Sequence, residues 1–153
     1  MRLTLATIAL ASTCSSAYAD PVLLGKWRSD RQLTMQFARD RAKLEDKTLL
    51  FLEQLMGKMT VTFSPNRIVS EMPDWQSKNA NGEKSGLAGF KEVHRYKLLA
   101  TTPTQVAVSS VEPVTGRRTI TVYNFENKNT MWVYLGASAF SEMNIREYFV
   151  RIE

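Results

Sequence analysis

The chain has 153 residues, enough for one domain with a hydrophobic core, and carries 20 basic and 15 acidic residues, a net charge of +5. This modest charge is not the clustered basic pattern of a nucleic-acid-binding protein, so we expect no nucleic acid as a partner. One histidine and one cysteine exclude the usual zinc sites, which need more nitrogen or sulfur ligands, and we predict neither a metal nor a cofactor.

The first 19 residues have the pattern of a secretory signal peptide. Met1 and Arg2 form a short positive start, residues 3–11 form an apolar run too short to span a bilayer, and residues 17–19 read Ala-Tyr-Ala, a small-x-small cleavage site. Attachment of a lipid at Cys14 is an alternative to its removal, and that alternative stays open. We expect a signal peptide at 1–19, a mature domain at 20–153 and a periplasmic or secreted location.

Two helices are predicted directly after a short first strand that ends near residue 27. Apolar residues recur three and four positions apart in Asp30–Arg41 and in Glu45–Met56. Ser29 and Gln32 have the spacing of a capping box at the start of the first helix. Gly57 stands where a left-handed cap ends the second helix. Since the connection between them is short, the two helices are expected to form a hairpin.

The rest of the chain, from Met59 to Ile152, is written as short alternating strands joined by turns. The segment Pro73–Gly89 is rich in Asn, Gly, Ser and Lys, and we predict a long loop there with a short strand around Trp75. About eight strands are predicted in total. This spacing is typical of an antiparallel sandwich or barrel in a single domain.

Gly25 and Trp27 form a Gly-x-Trp that resembles the opening motif of the calycin superfamily, the lipocalins and fatty-acid-binding proteins. The order of one strand, a helical hairpin and a strand meander is similar to the fatty-acid-binding branch. The resemblance implies a mainly β, lipocalin-like, antiparallel up-and-down barrel of about eight strands, with the helical hairpin between strands 1 and 2 capping its mouth. It also implies that a basic residue near the C-terminus, here Arg151, packs over Trp27 and closes the barrel base.

Arg146 and Tyr148 resemble the Arg-x-Tyr pair that holds the ligand carboxylate in that branch. On a strand they share a face with Val150 and Ile152, and we expect this face to point inward. An inward arginine is costly unless an anion meets it, and a ligand carboxylate would do so through the guanidinium fork and the tyrosine hydroxyl. The alternative, in which this strand lies the other way and Arg146 is solvated, stays open.

Glu92, His94 and Tyr96 share another strand face, so they are candidate polar ligand-binding groups inside the barrel. His94 is the only histidine and would be the one candidate ligand for a haem iron, although an ordinary packed histidine is the simpler interpretation. It would also have to serve any Ser-His-Asp triad, and no nucleophile motif lies near it. We therefore predict that the protein is not an enzyme.

The function that these observations favour is non-enzymatic binding of a small hydrophobic, fatty-acid-like ligand with an acidic head. The alternative is an envelope protein-interaction module, an inhibitor or assembly factor on a filled barrel, with the Pro73–Gly89 loop as its contact surface. A monomer is expected. A weak contact with a membrane surface is one interpretation of the basic edge of the helices, formed by Arg31, Arg39, Arg41, Lys43 and Lys47. Acidic residues are interleaved with these cations, so a plain solvated face is the simpler interpretation.

Overall fold

The computed structural model describes residues 22–79, 81–111, 116–135 and 145–153, and the predicted signal peptide with Cys14 lies outside them. The two helices are α1 (Arg31–Arg41) and α2 (Asp46–Leu55). The strands are β1 (Gly25–Ser29), β2 (Thr60–Ser64), β3 (Arg67–Met72), β4 (Trp75–Lys78), β5 (Lys84–Leu87), β6 (Phe90–Thr102), β7 (Gln105–Val111), β8 (Arg118–Asn127), β9 (Thr130–Tyr134) and β10 (Arg146–Arg151).

Eight of these strands form a closed antiparallel barrel in the order β1-β10-β9-β8-β7-β6-β3-β2. Strands that follow each other along the chain are neighbours in the barrel, apart from the β4–β5 hairpin inserted between β3 and β6. The first and last strands close the ring, with Trp27 opposite Arg151 and Ser29 opposite Phe149. The prediction of an up-and-down barrel of about eight strands, with a helical pair between the first two, is confirmed.

Large apolar side chains fill the barrel interior around Trp27. The ring of Trp27 is fully buried and meets Phe125 edge-on at a centroid distance of 6.0 Å, and Phe63 meets Tyr96 and Tyr123 in the same way. Aromatic pairs prefer this edge-to-face geometry because the positive ring edge faces the negative ring face. The other buried members of this cluster are Leu23, Val61, Ile68, Val106, Val108, Met131 and Phe149. This part of the interior is a packed core.

The entry into α1 differs from the predicted capping box. Asp30 is the N-cap, and its Oδ1 accepts a hydrogen bond from the N–H of Leu33 at 2.9 Å. Ser29 is still a strand residue, so its side chain alternates into the interior, where its Oγ accepts from the N–H of Gly57 at 3.0 Å. The serine thus joins the start of α1 to the end of α2 instead of capping α1.

The helical pair packs on the end of the barrel where β9 stops and β10 starts. Met35 and Ala38 of α1 meet Leu52 of α2 in a second apolar cluster, and Leu135 and Ile145 at the strand ends pack against it. The pairing of β1 with β10 ends where Ser29 lies opposite Phe149. At the preceding residue of β10, the Oγ1 of Thr34 on α1 accepts a hydrogen bond from the backbone N–H of Tyr148 at 2.9 Å, so α1 replaces β1 as the neighbour of β10 there. Neither helix of the described chain is long and apolar enough to cross a bilayer.

The segment predicted as a long loop with a short strand around Trp75 contains a β-hairpin. The strand at Trp75 is confirmed, and the second strand, Lys84–Leu87, corrects the prediction of a loop. Strand β4 pairs with β5, with Trp75 opposite Leu87. The hairpin rests on α2, because the side-chain amide of Gln54 donates to the carbonyl of Lys78 at 3.0 Å and its Oε1 accepts from the N–H of Lys78 at 2.6 Å. Phe51 of α2 also lies 6.1 Å from the Trp75 ring. Contacts with α2 therefore help to order a hairpin whose second strand has a sequence too polar to indicate it.

Candidate functional site

Arg146 and Tyr148 point away from the barrel interior, so their predicted inward placement is wrong. Side chains alternate along β10, and it is Phe149 that joins the interior cluster, opposite the fully buried Met131 of β9. Both faces of β10 are covered, the inner one by the core and the outer one by α1. Because both faces are buried, the apolar residues Val150 and Ile152 do not indicate which face of β10 points into the barrel.

The guanidinium of Arg146 is held between aromatic rings instead of facing a ligand cavity. Its Cζ lies 3.8 Å from the centroid of the Trp132 ring on β9 and 4.4 Å from that of Phe37 on α1. Tyr134 is a third ring at 5.5 Å, and Phe37 also contacts Tyr148 at a centroid distance of 6.0 Å. Such cation–π contacts stabilise by about 0.5–2 kcal/mol depending on burial. Arg146 therefore fastens α1 to the barrel wall.

The three residues predicted on β6 do face inward. Tyr96 is buried, and its hydroxyl donates to the carbonyl of Ser64 at 2.9 Å; burial raises the pKa of that hydroxyl. His94 stands opposite the buried Ile68, and its Nδ1 has no hydrogen-bond partner in the described part of the chain. Glu92 stands opposite Ser70. Among the grooves described for this structure, none is lined by Glu92 or His94.

A buried acid on β10, Glu147, was missed by the reasoning from sequence. Its side chain keeps only 4% of its exposure, and burial raises its pKa to about 7, with a hydrogen bond from the Ser29 hydroxyl acting in the opposite direction. It shares the inward face with Phe149. The expectation that Arg146 and Tyr148 point inward places Glu147, which lies between them, on the opposite face of the strand. The correct strand orientation is the signal that would have found it.

The predicted closure of the barrel base is present. The Cζ of Arg151 lies 4.2 Å from the centroid of the Trp27 ring, and its guanidinium donates to the carbonyls of Val22 and Leu24. Gly25 has a φ of +119°, and a Cβ there would lie 2.6 Å from the carbonyl oxygen of Glu153. Only glycine fits both this backbone conformation and the close approach of the C-terminus. Gly25, Trp27 and Arg151 thus form one structural unit.

One cavity lies at the barrel wall, where the β2–β3 turn meets the middle of β6, and both inward-facing and outward-facing residues line it. It has a volume of about 570 Å³, within the range of small-ligand sites. We call it the wall groove. Its lining consists of Pro65, Asn66, Arg95, Tyr96, Lys97, Leu98, Ser109, Ser110, Val111 and Arg118.

Strand alternation explains how these residues meet. Arg95 and Lys97 flank the inward-facing Tyr96, so their side chains point outward. On β7, Ser109 lies next to the inward-facing Val108 and therefore also points outward. Arg118 opens β8, and its guanidinium donates to the Oγ of Ser109 at 3.4 Å. Two strands, β6 and β8, thus bring three cations to one groove, and β7 between them adds the hydroxyl group of Ser109.

Among the described residues, the cations of the wall groove have no ion-pair partner. The ten described residues that line the groove include no Asp or Glu, and the ion pairs between described residues involve neither Arg95 nor Lys97 nor Arg118. A second groove of about 670 Å³, between α2 and the β4–β5 hairpin, differs in this respect because Glu53 lies in it and pairs with Arg31 at 3.2 Å. The wall groove therefore offers an anion three cations, hydroxyl groups and some apolar surface.

The described residues contain no group of three or more side chains suited to bind a metal ion. Comparison of the chain with protein-family models, with curated proteins and with solved structures found no match. The resemblance to the calycin superfamily therefore stays a prediction based on the order of elements and on Gly25-x-Trp27.

Proposed function

We propose that this protein binds a small amphipathic anion, such as a fatty acid, in the wall groove, without catalysis. The observation that carries the proposal is the set of three cations, Arg95, Lys97 and Arg118, around a groove whose described lining includes no acidic residue. The class of ligand is the one expected from the sequence, but the residues that would hold its acidic head are different. Export to the periplasm or beyond remains part of this proposal.

The strength of the contacts indicates why the ligand must be amphipathic. An exposed ion pair contributes on the order of 0.2–1 kcal/mol, so three cations cannot supply the roughly 8 kcal/mol that micromolar affinity requires. A simple inorganic anion should therefore bind weakly. An alkyl chain laid against Pro65 and Val111 adds about 25 cal/mol for each Å² removed from water. The proposal thus predicts that affinity rises with chain length.

The test is a fluorescence titration with a fatty acid that carries an environment-sensitive dye. The triple variant Arg95→Gln/Lys97→Gln/Arg118→Gln is expected to bind roughly 3- to 150-fold more weakly, since it loses about 0.6–3 kcal/mol of charge contacts. The matched control is Arg41→Gln/Lys43→Gln/Lys47→Gln, which removes three exposed cations from the helical pair. Equal binding by both triple variants, or no binding by the native protein, would overturn the proposal.

A second candidate function is the protein-interaction module, with the β4–β5 hairpin as its contact surface. The observation that favours it is that β5 (Lys84–Leu87) pairs on one side only and is exposed along its whole length. A free strand edge can add a strand from a partner. Replacing Gly86 by proline should then prevent partner capture while the barrel stays folded by circular dichroism; capture that survives in this variant argues against the hairpin as the surface.

A further inference from the structure

We infer that the outer wall of β6, β7 and β8 docks on an anionic lipid surface, which is where the wall groove meets its ligand. This inference rests on the proposed function and names the source of the amphipathic anion. Lipid head groups would meet Arg95, Lys97 and Arg118, and exposed aliphatic side chains beside the groove would enter the interface.

The aliphatic side chains form a strip that continues the groove across the sheet. Ile120 stands opposite Ser109 of the groove, and Val122 stands opposite Ala107 of β7. Leu99 lies at the irregularity between Leu98 and Ala100 on β6. We call Leu99, Ile120 and Val122 the aliphatic strip, and their side chains are 52%, 66% and 40% exposed. Such exposure of adjacent large aliphatic residues is typical of a surface that meets a partner.

A lipid surface fits the wall better than a protein does. Protein interfaces are enriched in aromatic residues, and the aliphatic strip contains none. Strand β7 is paired with β6 on one side and β8 on the other, so its backbone has no free edge for an added peptide strand. The wall presents exposed aliphatic side chains and positive charge. Anionic head groups attract the positive charge without requiring a specific geometry, and the aliphatic side chains enter the apolar part of the membrane interface.

A second copy of the chain is a poor occupant for the same wall. A symmetric dimer through the aliphatic strip would bring Arg95, Lys97 and Arg118 of one copy near the same residues of the other, and the described groove lining holds no acidic residue that could compensate them. On the basic edge predicted on the helices, Arg31 and Arg39 both pair with Glu53 and Lys47 pairs with Glu45, so that only Arg41 and Lys43 lack an ion pair among the described residues. The wall groove gathers three such cations, which makes it the stronger candidate for an anionic surface.

The experiment is flotation of the purified protein with two kinds of vesicle, pure phosphatidylcholine and phosphatidylcholine containing phosphatidylglycerol. We expect partition into the phosphatidylglycerol vesicles to be stronger by on the order of 100-fold, since three Lys/Arg contacts each add roughly a factor of five. The preference should fall as salt is raised, because salt screens exposed charges. Equal partition into both vesicles, or no partition, would overturn the inference.

Variants separate the strip from the charges. Ile120→Ser/Val122→Ser should reduce vesicle binding several-fold, whereas Leu50→Ser/Ile152→Ser, which removes two exposed aliphatic side chains elsewhere, should not change it. The side chains replaced in the two double variants are exposed, so we expect the barrel to fold in both variants. Native binding by the Ile120→Ser/Val122→Ser protein would contradict docking through the strip. A concentration-dependent dimer of the native protein, measured by sedimentation and absent from the Ile120→Ser/Val122→Ser variant, would also contradict docking on a lipid surface.

A titration with decanoate below its micelle concentration distinguishes this inference from the proposed function. Binding of decanoate together with binding of phosphatidylglycerol vesicles supports the small-ligand proposal and the docking of the wall on a lipid surface. Binding of decanoate without vesicles overturns docking and leaves the small-ligand proposal intact. Binding of vesicles without decanoate overturns the small-ligand proposal and supports docking of the wall alone.

Discussion

Glu147 is a residue whose acidity is altered by the fold. Its carboxyl group lies in the barrel interior, where the Ser29 hydroxyl is its hydrogen-bonding partner and burial raises its pKa to about 7. Ser29 in turn accepts the N–H of Gly57 at the end of α2. The protonation of one acid is thus linked to the contact between the first strand and the helical pair.

This linkage predicts a pH dependence of stability. Because the pKa of Glu147 is higher in the folded state than the unfolded value of about 4.5, its contribution is fully present below pH 4.5 and is lost as the pH rises through about 7. The loss is about 3 kcal/mol. Glu147→Gln should therefore be more stable than the native protein at pH 8 and about equally stable at pH 4.

Urea unfolding at the two pH values measures this difference. Glu126→Gln is the control, since that acid is exposed on β8 and should leave the pH dependence as it is in the native protein. A stability difference between Glu147→Gln and the native protein that does not change between pH 4 and pH 8 would contradict a raised pKa.

Among the elements, α1 depends on one side chain that was first assigned to ligand binding. Arg146 lies between Trp132 and Phe37. Replacement by lysine keeps the charge but removes the planar group that stacks on the rings. We expect Arg146→Lys to lower the free energy of unfolding by about 1–2 kcal/mol and to leave binding of the fatty-acid probe unchanged. Arg41→Lys, on an exposed arginine at the end of α1, should change neither.

Thermal unfolding and the probe titration check both parts of this prediction. Weaker probe binding by Arg146→Lys in a protein of native stability would restore the original ligand-binding role and contradict the structural one.

The sequence was a good guide to elements with strong periodicity and a poor one to those ordered by tertiary contacts. Strand alternation and helical spacing predicted the barrel strands and both helices to within a few residues. The β4–β5 hairpin has no clear alternation and is held by Gln54 and Phe51 of α2, contacts that no local pattern contains. The orientation of β10 was missed because both of its faces are covered.

The candidate site was only partly accessible to the same reasoning. Arg95 and Lys97 on either side of Tyr96 form an alternating pattern that indicates a basic outer stripe on β6. Nothing in the local sequence indicates that Arg118 joins them, since β8 is brought to β6 only through β7. A site made across three strands depends on their register, which a single sequence does not reveal.

At the scale of the whole molecule, the barrel combines a packed interior with an outer wall that carries exposed positive charge and exposed aliphatic residues. Trp27, Val106, Val108 and Met131 are fully buried inside it, and the described chain contains no cysteine that could form a disulfide. Stability must therefore come from apolar packing and the closed hydrogen-bonded ring. With this part of the interior filled, the uncompensated charge and the exposed aliphatic residues on the outer wall are the features left for recognition.

The central claim is that the ligand lies on the outer wall and not inside the barrel. A titration of ¹⁵N-labelled protein with decanoate, followed by NMR, tests it directly because every backbone amide reports its own surroundings. We predict that the amide shifts concentrate at residues 95–98, 109–111 and 118. Shifts that concentrate instead at Val133, Glu147 and Phe149, which face the interior, would contradict the account.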